Sequence, residues 1–233
     1  MLERGSWLFR NILQSLSPTL IIDMLLGIAW ACTLPQDDLL HTCMCGESLR
    51  DDPAHFHSCS RMMPRAITGR HDSIVQVLAN MFKRVGEVNI EVKCDGETRV
   101  RPDIEIVLSD RSLLVDVAVV HPAAPSRRSL AALAAARDIE NAKLAKYKAV
   151  ATQRGCNFLA FVPESYGALG NQANEVLRLL NHALNRTPAR SYELSERAIA
   201  ETLSVALQRG NAFISHTGSL AARAQAALVA QRS

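Results

Sequence analysis

Two carboxylates stand in the pattern Pro102-Asp103-x12-Asp116, and a later run reads Lys143-Leu-Ala-Lys146-Tyr147. Carboxylate oxygens are hard donors that suit Mg2+, which keeps several waters and needs only one or two carboxylates besides a substrate phosphate. A cation so held polarises a phosphodiester and lowers the pKa of water. An ammonium beside it positions the attacking water and offsets charge in the transition state. Together these parts are the equipment for phosphodiester cleavage. Asp116 is the sharpest of them, because it interrupts the apolar run Leu113 to Val120. A charge buried there without a partner is expensive, so a cation or a basic side chain must face it. Lys143 and Lys146 are three residues apart and share one face of a helix, which leaves both open as the charged helper. Tyr147 adjoins them, within reach of a substrate backbone.

A second constellation lies upstream. Cys43-Met-Cys45-Gly and His55-Phe-His57-Ser-Cys59 supply three thiols and two imidazoles in a short stretch. Thiolates and imidazole suit tetrahedral Zn2+, and a metal can staple a loop too small to fold alone. Cys43, Cys45, His55 and Cys59 would close such a site with no open position, which makes it structural; His57 is the alternative to His55, and His41 is a spare. Cys32, Cys94 and Cys156 sit in apolar contexts and are expected in the core. Arg70-His71-Asp72 opens an expected helix, where an anion such as a DNA phosphate is favoured. Glu164 follows the last strand at the edge of the site.

The elements that must position these residues follow from periodicity. His71–Val85 has a helical apolar stripe closed by Gly86, Val88–Lys93 alternates as a strand, and a turn at Asp95-Gly96 follows. Asp103–Leu108 alternates, and Leu113–Val120 is a central strand covered on both faces. Arg127–Arg154 predicts a long helix ended by Gly155, Asn157–Val162 a short strand, Asn171–Leu184 a helix, and Tyr192–Arg209 a last helix capped by Ser191 and stopped by Gly210. The order αβββαβα is that of an α/β fold, a mixed sheet flanked by helices. Two helices are expected before it, the first carrying Trp7, Leu8, Ile12, Leu13 and Leu16, the second running from Pro18 to Ala31. Alone they cannot bury their apolar stripes, which favours a docking face.

With 233 residues and 48% hydrophobic content, the chain is long enough to bury a core and too apolar for disorder. The net charge is only +3, but basic residues outnumber acidic ones between Arg61 and Arg154, a stretch suited to facing phosphates. No secretory signal opens the chain, and Asp23 breaks its most apolar segment, so neither export nor a membrane span is expected. A reducing, intracellular setting follows.

Taken in order, Cys43-x-Cys45-Gly-x8-His55-x3-Cys59, Arg70-His71-Asp72, Arg101-Pro102-Asp103-x12-Asp116-Val117, Lys143-x2-Lys146-Tyr147 and Phe161-Val-Pro-Glu-Ser-Tyr-Gly167 resemble one family. It is the C-terminal region, a zinc knuckle plus a restriction-like endonuclease of PD-(D/E)XK type, of site-specific non-LTR retrotransposon polyproteins. The resemblance covers about residues 41–170. It implies a restriction-endonuclease-like fold that nicks double-stranded target DNA so that the freed 3′ end primes reverse transcription. Asp103 and Asp116 would be its Mg2+ ligands, Lys143 and Lys146 its catalytic lysines, and Arg70, His71, Arg101 and Tyr147 its nucleic-acid contacts. Element RNA and a reverse transcriptase domain would be partners, in the nucleus. The implied division is 1–38, a helical linker or thumb-like remnant; 39–62, a CCHC-type zinc knuckle; 63–212, the endonuclease; and 213–233, a flexible tail. Two departures stand out. Ala118 occupies the position where such nucleases often carry their lysine, and nothing before residue 40 resembles a polymerase. A fragment, relic or domesticated copy is therefore expected. The alternative is a catalytically inactive module that binds nucleic acid or a partner protein.

Overall fold

Alternation of apolar side chains from Ile104 and from Leu113 builds the centre of the molecule, because successive residues of a strand face opposite sides of a sheet. A computed structural model describes residues 42–231 apart from 53, 63, 93–99, 128 and 187–195. The expected N-terminal helices, Cys32, His41, Cys94, the Asp95-Gly96 turn and the Ser191 cap lie outside the described residues. In chain order come α1 (Pro64–Phe82), β1 (Glu87–Ile90), β2 (Ile104–Val107), β3 (Ser112–Val117), α2 (Ala134–Gln153), β4 (Asn157–Phe161), α3 (Asn171–Arg186) and α4 (Glu196–Ala230). The strands form one mixed sheet in the order β1-β2-β3-β4. The first three are an antiparallel meander, and β4 pairs parallel to β3 after the crossover through α2.

One face of the sheet presents Ile104, Ile106, Leu113, Val115, Val117 and Phe161 to α1, α3 and α4. The other presents Leu114, Phe158 and Ala160 to Tyr147, Val150 and Ala151 of α2. β3 is thus the covered central strand that its apolar run predicts. Asp116, two residues from Leu114, faces α2. A third cluster joins Cys43, Leu49, Phe56, Cys59 and Met62 to Ala66, Ile214 and Ala222. It docks the Cys/His segment, with its 3-10 turn His55–His57, onto α1 and α4. Among the described residues no helix is long and apolar enough to cross a membrane.

The three largest departures from the periodicity are helix boundaries, each with a physical reason. α1 starts at Pro64 rather than His71, since proline is pre-set for the first helical turn and needs no amide partner there. α2 starts at Ala134 rather than Arg127, after a series of turns that ends with Leu133 in the left-handed region (φ 62°). α4 passes through Gly210 instead of stopping there. A Cβ at Gly210 would lie 2.5 Å from Arg70 Cγ and 2.6 Å from its Cβ, so this glycine makes room for α1 rather than ending a helix. The expected tail 213–233 is accordingly helical to Ala230, with Ile214 and Ala222 buried.

Gly218 is the second close approach on α4: a Cβ there would lie 2.4 Å from a Phe56 ring carbon. Gly218→Ala is expected to cost about 1–3 kcal/mol by overpacking, read as a lower Tm. Gly69→Ala, on the exposed side of α1 with nothing within 4 Å, is expected to raise stability by about 0.5–1 kcal/mol.

Candidate functional site

Asp116 is 4% exposed, and its charge is met inside the protein. Lys143 Nζ, from α2, pairs with Oδ2, and the Tyr147 hydroxyl lies 2.5 Å from Oδ1 and 2.9 Å from the Arg101 carbonyl. The hydroxyl has one proton, and the charged oxygen is the stronger acceptor. Lys146 Nζ donates to the same hydroxyl at 3.2 Å and sits 4.7 Å from the Tyr147 ring centroid. Of the two candidate lysines, Lys143 is the one that meets the carboxylate. Tyr147 is 1% exposed and stacks on Phe158 with ring centroids 4.7 Å apart. It supports Asp116 from inside the core, and the expected contact with a substrate backbone is corrected. The Arg101 side chain is exposed.

Extending the β2–β3 register one pair beyond Ile104↔Val115 sets Asp103 across from Asp116. Their side chains nevertheless take different partners. Asp103 Oδ2 accepts the Val117 amide at 2.6 Å and lies 3.1 Å from His71 Nε2. His71 Nδ1 is 3.0 Å from Asp72 Oδ1, so both ring nitrogens face carboxylates. The hydrogen bond to Asp103, with the Asp72 bond and both negative charges, outweighs burial and raises the His71 pKa to about 9. His71, Asp72 and Asp103 line a cavity of about 610 Å3 with Val117, Ala118 and Glu91.

Arg70 and His71 lie inside α1 and not at its N-terminus, which removes the helix-end reason for placing a phosphate on them. Arg70 is 3% exposed. Its Nη1 donates to Asn211 Oδ1 at 2.9 Å and stands 3.5 Å from His57 Nδ1. The sequence expectation of a surface DNA contact is corrected: this guanidinium links α1, α4 and the Cys/His segment, and burial lowers its pKa to about 10. His71 contacts the Asp103 carboxylate instead of projecting freely toward DNA.

Cys43, Cys45, His55 and Cys59 bring one ligand atom each within 4.8 Å of one another, a set that could hold a zinc ion. Cys43 and Cys59 sulfurs are 3.5 Å apart, and Cys45 Sγ is 3.0 Å from His55 Nε2. Three soft sulfurs and one imidazole form a donor set that zinc prefers. Asp52 Oδ2 stands 3.9 Å from His55 Nδ1, beyond hydrogen-bond reach, while Nε2 is the ring nitrogen that faces Cys45. Without a cation, burial raises the Cys43 pKa to about 12. Burial also raises Cys45, but hydrogen bonds from Glu47, Cys43 and Cys59 hold it below its ordinary value.

His57, the alternative ligand, turns away to Arg70 and lies 5.4 Å from the His121 ring. Burial, then the charges of Arg70 and His121, lowers its pKa to about 3. His121 Nδ1 meets Ser165 Oγ at 2.7 Å, and Asn211 donates to the Ser165 carbonyl at 2.7 Å. Glu164 is buried in the loop after β4, and burial raises its pKa. Sequence reasoning missed this junction, since its members are far apart in the chain. It also missed Glu140, whose Oε1 accepts the Gln172 amide at 2.8 Å and caps the first turn of α3. Asp52 alone left a signal, a carboxylate three residues before a candidate ligand histidine.

The His71 pKa is raised on folding, so its stabilisation is complete below about pH 6.5 and lost as pH rises through about 9. The Tm of the wild type should fall across that window, and the Tm of His71→Leu should change less. Elemental analysis should find zinc retained in His57→Asn and lost in His55→Asn and Cys43→Ser. Compared with known protein families and with curated proteins, the chain matches none.

Proposed function

We propose that the α1–α4 body is a Mg2+-dependent DNA endonuclease domain of restriction-like architecture. The Cys/His segment is its zinc knuckle, with Cys43, Cys45, His55 and Cys59 as ligands. Support for the architecture comes from the meander β1-β2-β3, the crossover helix α2 and the parallel strand β4. One observation carries the activity: Lys143 of α2 reaches Asp116 of β3, at the end of the sheet where Pro102-Asp103 stands. A lysine supplied from the helix takes over the position that Ala118 leaves empty of charge.

Asp103 and Asp116 would hold magnesium, and the donor chemistry fits, since both offer hard oxygens. Both hydrogen bonds of Asp103 fall on Oδ2, leaving Oδ1 without a hydrogen-bond partner among the described residues. Asp103 and Asp116 would there hold a Lewis acid able to draw charge from the scissile phosphate. Lys143 keeps 21% of its side chain exposed, enough to donate to a phosphate oxygen or hold a water in line with phosphorus. Lys146 and Arg101 are exposed beside Tyr147 and offer charge to the DNA backbone. The proposed setting is the nucleus, with double-stranded target DNA as substrate and element RNA and a reverse transcriptase domain as partners.

A second reading, a nucleic-acid-binding module without chemistry, is favoured by the occupation of both Asp116 oxygens by Lys143 and Tyr147. Nicking of supercoiled plasmid with Mg2+ separates the two. The endonuclease reading expects nicking by the wild type and losses of about 100-fold or more in Asp103→Ala, Asp116→Ala and Lys143→Ala. DNA binding without nicking would favour the second, and equal nicking by Asp116→Ala would sink the first.

A further inference from the structure

We infer that His71 is a positioning residue for Asp103, pinning one carboxylate oxygen so that the other is presented to the cleft. The inference rests on the endonuclease reading for its purpose, but its geometry is independent of that reading. Oδ2 of Asp103 is held from two elements at once, by the Val117 amide of β3 at 2.6 Å and by His71 Nε2 of α1 at 3.1 Å. Two donors converging on one oxygen restrict rotation about the carboxylate's last bond. The Val117 amide is the next ladder position beyond the paired residues of β3, so the Asp103 side chain takes over where strand pairing stops.

The ring itself is fixed. Asp72 Oδ1 lies 3.0 Å from Nδ1, which sets the ring plane from its outer side. The His71 backbone lies within α1, between the buried residues Arg70 and Ile74. Asp72 has 61% of its side chain exposed and Asp103 has 23%. The outer carboxylate is therefore solvated, and the inner one borders the cavity of about 610 Å3. Carboxylates behind ligand histidines are a familiar outer partnership. Here the order is reversed, with a histidine standing behind the carboxylate that would take the ion.

The test uses the full chain with His71→Leu, His71→Asn and Asp72→Asn. Hydrogen exchange of the Val117 amide, followed by NMR without metal, is expected to quicken about tenfold in His71→Leu as the carboxylate loosens. His71→Asn, which keeps a donor, is expected to recover part of that protection. Asp72→Asn, at an exposed position that tolerates change, is expected to quicken exchange by a smaller factor and serves if His71→Leu does not fold. Mn2+ affinity by calorimetry is expected to fall about 10-fold or more in His71→Leu, with the half-saturating Mg2+ for nicking rising in parallel. Val117 exchange unchanged in both His71→Leu and Asp72→Asn overturns the positioning role. A wild type that neither binds Mn2+ nor nicks DNA overturns the endonuclease reading instead, and the Val117 measurement still decides the role of His71.

Discussion

A carboxylate buried in the middle of an apolar strand must be neutralised, and much of the molecule is arranged to do so. Asp116 draws Lys143 and Tyr147 onto one side of the sheet, and those two lie four residues apart on α2. Their common face fixes the rotation of that helix about its own axis. Glu140, three residues before Lys143, then falls at the start of α3 and accepts its first free amides. Gly170 keeps the space open, since a Cβ there would come within 2.1 Å of the Glu140 carboxylate. One stripe of α2 therefore carries an acid, a base and a phenol inward among alanines. This explains why a helix so weakly amphipathic packs at all: it is held by matched polar groups as much as by apolar area.

The opposite side of the sheet is organised by a different need. Arg70 is buried with an amide oxygen and an imidazole for neighbours, and its Nε has no hydrogen-bond partner among the described residues. The unpartnered buried atoms of His121, Glu164 and Asp52 belong to the same junction or the loops beside it. Neutral imidazoles suit this place, because a second cation beside Arg70 would raise the desolvation cost. The Cys/His segment is joined to the sheet and helices here by polar groups, and also by the apolar contacts of Phe56, Ile214 and Ala222.

Much of this was legible in the sequence wherever one residue carried a strong local signal. The apolar run around Asp116 announced a central strand with a charge to be met. The Cys/His spacing named four candidate ligands and left one choice, between His55 and His57, that the folded cluster and the position of Arg70 resolve. The strands followed from alternation and from the apolar run, but their order in the sheet did not. The failures share a cause: the deciding partner was remote in sequence. Gly210 carries the local signature of a helix end, and only the approach of Arg70 reveals it as a packing notch. Tyr147 looks like a surface residue of a charged helix until Asp116 and Phe158 are found beneath it. His71 looks like a first-turn residue when Pro64 is overlooked as the true start of α1.

The two glycine notches of α4 give that helix a property its composition hides. Gly210 receives α1 through Arg70, and Gly218 receives the Cys/His segment through Phe56. A helix turns by about 100° for each residue added. Gaining or losing one residue between the notches would swing Gly218 away from Phe56 while leaving Gly210 in place. The stretch between them is therefore locked in phase: it tolerates substitution at its outward positions but not a change of length. By this means α4 sets the angle at which the Cys/His segment meets the sheet and its helices.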